Sequence, residues 1–333
     1  MKIAVYFPRK KVDLFFEGAM LEHQIVKACK AQDITVTQKV SKDVDIANFI
    51  NLNAKSTLAI KSAIGLSIPT LMWMFWANND NQSRIIELTK DGREYIPLSR
   101  LDIINMMDGV VVPTNEARIM LRKLGVKIPA FILPGAVGVS RLSEIKSGKV
   151  DIFRRYFRID EEQKYTISVM NVRAKKELED LNTLASILPD YNFYAFVSAG
   201  AKFLDRVRLR AMNKMTAKNL IVSELVPEDV YRSGLAGASY FIDLGAEKMN
   251  VMTLYEAMYL KIPLIVSKKM VFSEIINDTR AFVVNDYNGA VYVIRNNLAS
   301  DSLVEKAYQY TQKVTQDSFS ESIITLFTNI YSR

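Results

Sequence analysis

The chain has 333 residues, 49% hydrophobic and 24% charged, and its 44 Lys and Arg against 36 Asp and Glu give a formal net charge of +8. That composition excludes a disordered chain, which would be poorer in apolar residues, and the length fits two domains of roughly 150 residues each. A single Cys makes no internal disulfide, a single Cys and a single His make no zinc site of nitrogen and sulfur ligands, and triad chemistry would have to pass through His23 alone.

In chain order, the start Met1-Lys2-Ile3-Ala4-Val5-Tyr6-Phe7-Pro8 is too short an apolar run for a secretory leader. Strand-forming runs follow at 2–7, 34–38, 44–49, 69–75, 109–114 and 130–134. Helical patterns separate them at 18–31, 53–65 and 115–124. Thr114 is placed to cap the last of these, with Glu116 in its first turn and Gly125 at its left-handed end. The segment 136–149 is rich in Gly, Ser and charge, lacks a clear period, and reads as a hinge. Strands resume at 166–170, 191–198, 219–225, 238–244, 263–267 and 281–286, with helices at 176–188, 227–236 and 253–260.

Strand–helix–strand alternation predicts parallel sheets with helices on both faces, and it occurs twice. The expectation is an α/β protein of two Rossmann-like domains, 1–140 and 150–316, with a C-terminal helix over 317–333. Ligands of such sheets bind at the carboxyl ends of the strands, and the cleft between two facing domains is the default site. The longest apolar stretch, 68–77, is half of the roughly 20 residues a spanning helix needs, so the expected location is the cytoplasm.

The excess of positive charge is spread over short clusters at Arg9-Lys10-Lys11, Arg118/Arg122/Lys123, Arg154-Arg155 with Arg158, and Arg206/Arg208/Arg210. Solvated helix faces account for such clusters. Nucleic acid is not an expected partner, because no signature of a nucleic-acid module is present. Arg118, Arg122 and Lys123 fall within one helical turn of each other and would suit anionic lipid. Trp73 and Trp76 are read either as core or as the lining of an acceptor pocket or a bilayer interface. Short basic clusters with aromatics describe a peripheral protein on the inner face of the cell membrane. Asp43-Val-Asp45 spells a D-x-D at the start of a strand and is not expected to hold metal.

The second half carries the chemistry. After the strand ending at Leu244, the loop Gly245-Ala-Glu-Lys-Met-Asn leads to a helix placed near Thr253, with Glu256 in its first turn. A helix start offers free N–H groups and a positive dipole to an anion, and a carboxylate there accepts from a diol. Earlier, Arg173 and Lys176 stand where a strand meets a helix and are the candidates to hold phosphate, Arg bidentately and Lys as a point charge. Gly18, after the first strand, would let backbone approach a ligand.

The stretch Leu254-Tyr-Glu256-Ala257-Met258-Tyr-Leu-Lys-Ile-Pro263-Leu-Ile-Val-Ser267 resembles the nucleotide-sugar site of the retaining family 4 glycosyltransferases of GT-B fold. Their pattern is Glu, seven residues, Glu-Ala-Met/Phe, then Gly-x-Pro and two hydrophobics; Glu256, Ala257, Met258 and Pro263 match. Thr166–Met170 with Asn171-Val-Arg173-Ala-Lys175-Lys176 resembles the family's strand–Gly-Arg–loop–Lys-Gly–helix segment. Val112-Pro113-Thr114-Asn115, Leu188-Pro189-Asp190 and Asn219–Val222 fall at the family's spacings, and the end of the chain resembles its helix that crosses back onto the first domain. The likeness thus covers the whole chain in order, and lies nearest to the diacylglycerol-sugar branch.

The resemblance implies an acceptor domain at 1–140 and a nucleotide-sugar domain at 150–316. It implies retaining transfer of a hexose from a UDP-sugar, UDP-glucose or UDP-galactose, to a lipid-linked or glycan hydroxyl, with no metal and no other cofactor. Glu256 would bind the ribose, Arg173 and Lys176 the diphosphate, with Thr253 and Gly18 also on the donor. Glu247 or Lys248 would face the reacting sugar, since Lys248 stands eight positions before Glu256 where the family has its first Glu, and Glu247 is off by one. The family's His after the fourth strand is replaced by the Met72–Trp76 run, and its first-loop Gly-Gly by Glu17-Gly18. These departures keep a second expectation open: a non-catalytic GT-B module that binds a glycan or steadies a partner glycosyltransferase. A homo-oligomer is the other partner expected.

Overall fold

The computed structural model describes residues 1–7, 17–74, 85–88, 94–138, 142, 151–171, 175–198, 207, 209–213, 216–224, 226–245, 251–268, 272–298 and 301–332. The chain divides into two units. The first comprises Met1–Ala136, Asn250–Met252 and Val314–Arg333, the second Val137–Met249 and Thr253–Lys313.

The first unit contains β1 (Lys2–Tyr6), α1 (Glu17–Lys30), β2 (Thr35–Thr37), β3 (Ile46–Phe49), α2 (Ala54–Gly65), β4 (Thr70–Trp73), β5 (Glu87–Leu88), β6 (Glu94–Tyr95), α3 (Leu98–Asn105), β7 (Gly109–Val112), α4 (Asn115–Lys123) and β8 (Ala130–Ile132). Six strands form one sheet in the order β2-β1-β3-β4-β7-β8, every pair parallel, while β5 and β6 pair antiparallel by themselves. A parallel strand is covered on both faces, so its residues are apolar without alternation. Accordingly Ile46–Phe49, Thr70–Trp73 and Gly109–Val112 are buried at every position.

Local chemistry sets the helix ends. Asn53 and Ser56 form a reciprocal capping box at the start of α2. Thr114 accepts from the Ala117 N–H at 3.0 Å, and Gly125 takes φ 95° just past α4, as the sequence predicts. The D-x-D acids are occupied: the Lys2 ammonium pairs with Asp43, and the Lys2 N–H donates to Asp45 at 2.7 Å. The C-terminal helix Gln316–Tyr331 packs on α1. The Gln24 amide of α1 bonds both the N–H and the C=O of Ala136, while Gln316 donates to the Gln24 carbonyl at 3.2 Å.

The second unit contains α5 (Asp151–Phe157), β9 (Lys164–Asn171), α6 (Lys175–Ile187), β10 (Tyr191–Ser198), β11 (Leu220–Glu224), α7 (Glu228–Ala236), β12 (Tyr240–Asp243), α8 (Val251–Tyr259, whose first two residues are counted with the first unit), β13 (Leu264–Ser267), β14 (Phe282–Val284), α9 (Tyr287–Arg295) and α10 (Asp301–Thr311). Its sheet runs β11-β10-β9-β12-β13-β14, again all parallel. The order reverses between β9 and β12, the topological switch point of a doubly wound sheet. An aromatic cluster of Phe153, Phe157, Tyr165, Tyr194 and Phe196 fixes α5. Phe153 also lies so close to α7 that a Cβ at Gly234 would stand 2.4 Å from its ring.

Two expectations need correction. The helix placed at Thr253 begins at Val251, because Val251 and Met252 are buried apolar residues that extend its packed face backwards. Glu256 therefore lies in the second turn, beyond the strongest part of the helix dipole. Asp286, read as the end of a strand, instead caps α9 by accepting from the N–H groups of Asn288 and Gly289 at 2.9 and 3.2 Å.

Candidate functional site

The switch point of the second unit lies between the carboxyl ends of β9, at Asn171, and β12, at Asp243. In open α/β sheets ligands bind outside such a crevice. Asp243 is buried at 4% exposure and accepts from the Gly245 N–H at 2.9 Å. Glu177, in the first turn of α6, is buried at 7% exposure, and its Oε1 has no hydrogen-bond partner. A Cβ at Gly245 would stand 3.0 Å from Glu177 Oε2 and 3.1 Å from Asp243 Oδ1, so both carboxyls flank one glycine. Burial pushes the Glu177 carboxyl well up, and the charges of Asp243 and Asp180 push it further. Burial also raises Asp243, to about 7, against the pull of the Gly245 N–H.

Lys176, a candidate for phosphate, is exposed and donates to Asp180 at 2.7 Å, a bond that holds its ammonium above the usual range. Asp180 is itself buried. Glu256, the ribose candidate, is 4% exposed in α8, and its carboxylate lies 3.5 Å from the guanidinium of Arg232 on α7. Arg232 reaches Glu228 on its own helix at 2.5 Å. One buried cation thus lies beside two carboxylates. Thr253 is buried in the first turn of α8.

Arg173, Glu247, Lys248 and Trp76 lie outside the described residues. Gly18 is the second residue of α1. Trp73 is a core residue at 1% exposure: its indole N–H donates to Asn48 at 3.0 Å and its ring lies 6.2 Å from that of Phe319. On α4, Arg118, Arg122 and Lys123 are exposed beside Ile119, which is 48% exposed. Arg118 donates to Asn115, while Arg122 closes the helix by donating to the carbonyls of Val126 and Lys127 at 3.3 and 2.7 Å. His23 is exposed on α1. Among the described residues no group of His, Cys, Asp and Glu could hold a metal ion, and no helix is long and apolar enough to cross a membrane.

Sequence reasoning did not single out Glu177, Asp243 or Arg232. A signal for Glu177 was present, since Glu177, Asp180, Leu181 and Leu184 share the buried face of α6 at helical spacing.

Residues 149–314 match the family described as "Glycosyl transferases group 1". By its second unit the chain belongs to the group 1 glycosyltransferases. This glycosyltransferase is similar to the processive diacylglycerol alpha-glucosyltransferase of Acholeplasma laidlawii, at 24% identity over 165 residues. That match covers 49% of this chain and 49% of the relative, so about half of each. Two solved structures are similar over nearly the whole length. Sucrose-phosphate synthase from Thermosynechococcus elongatus aligns with a TM-score of 0.72 at 12% identity, covering 99% of both chains. HepE from Anabaena, in complex with UDP and glucose, aligns with a TM-score of 0.71 at 9% identity, covering 99% of this chain and 100% of that one. At such identities they show the fold alone, and with the two parallel six-stranded sheets that fold is GT-B.

Proposed function

We propose that this glycosyltransferase moves a hexose from a UDP-sugar to a lipid-linked or glycan hydroxyl with retention of configuration. The carrying observation is that the family match, residues 149–314, falls on the unit whose parallel sheet has its switch point between β9 and β12. The names of the relatives support the rest: one is a diacylglycerol alpha-glucosyltransferase, and one was solved with UDP and glucose. Transfer passes through an oxocarbenium-like state while negative charge grows on the leaving diphosphate, so catalysis depends on cations aimed at that charge. Arg173 and Lys176 take this role, Glu256 holds the ribose hydroxyls with Arg232 behind it, and Thr253 and Gly18 line the donor. Glu247 and Lys248 face the reacting sugar, and no metal takes part. The basic face of α4, with Trp76 as an acceptor-side candidate, rests on anionic lipid at the inner face of the membrane.

The test is transfer from labelled UDP-glucose or UDP-galactose to diacylglycerol in vesicles. Product is expected with one donor, and Arg173→Ala and Glu256→Ala are expected to lose it. No transfer and no stabilisation by either donor would reject the reading. The ion pair of Glu256 with Arg232, together with Lys248 in place of an acid, favours a second reading: a non-catalytic module that binds a glycan or a partner glycosyltransferase. Stabilisation by glycan without transfer would select it. Sedimentation with neutral and anionic vesicles tests the lipid face, and equal binding to both would remove its electrostatic part.

A further inference from the structure

The paired carboxyls of Glu177 and Asp243 have no role in the transfer as described, yet they occupy the switch point. They come from different elements, the first turn of α6 and the end of β12, and meet over Gly245. Both are more than nine-tenths buried, and one oxygen, Glu177 Oε1, has no partner. Two carboxyls that flank one glycine in a poorly solvated place each make ionisation of the other harder. We propose that Glu177 and Asp243 share one proton that sets the charge of the donor site, so that the site accepts the diphosphate of a nucleotide sugar while the proton is held and repels it once the proton leaves for solvent. The proposal rests on the reading of this unit as a nucleotide-sugar unit and adds to it a group that tunes donor affinity.

The surroundings favour titration near neutrality. On α6 itself Asp180 adds negative charge and is bonded by Lys176, while Lys175 pairs with Glu179 at 3.6 Å in solvent. From the end of β12 comes the Gly245 N–H, which supports the ionised form of Asp243. Packed against α6, α9 carries Tyr287, which acts on Lys176, and Arg295, which donates to the Ile187 carbonyl at the far end of α6. At the sheet edges of the crevice, Lys268 follows β13 and Glu224 ends β11, both exposed. Among these described groups none forms an ion pair with Glu177 or Asp243; burial lifts the Glu177 carboxyl well up and the Asp243 carboxyl to about 7.

The test is binding of UDP and of UDP-glucose to the full chain by titration calorimetry from pH 6.5 to 8.5 at fixed ionic strength; the terminal phosphate of UDP itself titrates at about pH 6, while the diphosphate of UDP-glucose is esterified at both ends and does not titrate in this range. An added charge within several ångströms of the diphosphate should weaken binding by about tenfold across this range. At pH 7.5, runs in two buffers of different ionisation enthalpy should show proton uptake on binding. Glu177→Gln and Asp243→Asn keep the shape, and each should flatten the pH dependence and abolish the uptake. A dissociation constant that ignores pH in the wild type, absence of proton uptake, or variants that keep the wild-type slope would overturn the proposal. The uptake measurement needs no variant and decides even if the substitutions fail to fold. UDP that binds at no pH would instead sink the donor reading and the gate with it. That failure is distinct, because the carboxyl pair would still reveal itself in the pH dependence of unfolding.

Discussion

Asp243→Asn should stabilise the protein, and by more at pH 8 than at pH 5. Burial lifts the Asp243 carboxyl from an ordinary value of 3.8 to about 7 in the folded chain. A raised carboxyl means that the folded state holds a proton the unfolded state has released. Stability from this group is therefore lost as pH rises from about 4 to about 7, and the loss is complete above that. At about 1.4 kcal/mol per unit, the whole penalty is about 4 kcal/mol, of which about 2–3 kcal/mol accrues between pH 5 and pH 8. Asn is nearly the same shape and keeps an oxygen for the Gly245 N–H, which Asp243 accepts at 2.9 Å. The gap between variant and wild type should thus widen by about 2–3 kcal/mol from pH 5 to pH 8. Urea unfolding at several pH values measures it; the difference between the two proteins cancels the groups that do not interact with Asp243, whereas Glu177, which Asp243 pushes up, titrates lower in the variant. A gap that stays constant across this range would show that Asp243 titrates as a solvated carboxyl, and the argument from burial would fail.

Trp73→Ala should cost about 3–5 kcal/mol, because the ring fills the core and its loss leaves Asn48 without the indole donor; a Trp that served only an acceptor surface would show no such loss in urea unfolding. Gly234→Ala should cost about 1–3 kcal/mol, since the new methyl must displace the Phe153 ring now 2.4 Å from its position, and a lowered thermal midpoint reads it. Arg232→Met should destabilise by about 3–5 kcal/mol by removing the guanidinium that Glu228 and Glu256 share, and should raise the KM for the proposed donor. Arg232→Lys should restore more of the KM than of the stability, because Lys returns the charge without the fork.

The strands were legible because parallel strands covered on both faces read as short apolar runs: 46–49, 70–73, 109–112, 240–243 and 264–267 each lie inside a run visible in the sequence. Helix ends were legible where a side chain marks them, as Thr114 and Gly125 do for α4. They were not legible where packing extends a helix past its polar start, as Val251 and Met252 do for α8. The site was harder to see. Glu177 stands in the run Lys175-Lys176-Glu177-Leu178-Glu179-Asp180, which reads as a solvated helix start. The chain just past β12, distant in sequence, lies against it at Gly245. Asp243 reads as a strand terminus, and nothing local shows that its neighbour in space is another acid. Trp73 shows the converse: an aromatic run that suits a surface belongs to the core once Asn48 on the neighbouring strand supplies the indole acceptor.

The charges around the second unit's switch point bear on how the proposed anionic donor would be admitted among so many acids. Glu177, Asp180, Asp243 and Glu256 are all buried there or on the adjoining helix α8. Four uncompensated carboxylates would repel a diphosphate and would themselves be costly to bury. Two are offset by cations: Lys176 bonds Asp180 at 2.7 Å, and Arg232 stands 3.5 Å from Glu256. The remaining two flank a single glycine, and among the described residues no cation pairs with either, so a proton is the neutralising charge proposed for them. The overall +8 of the chain does not supply it, because screening confines surface charges such as Arg118, Arg122 and Lys123 to about 8–10 Å. Local neutralisation, by two side-chain cations and one shared proton, is therefore what makes this crevice compatible with phosphate, and its most fragile member is the proton.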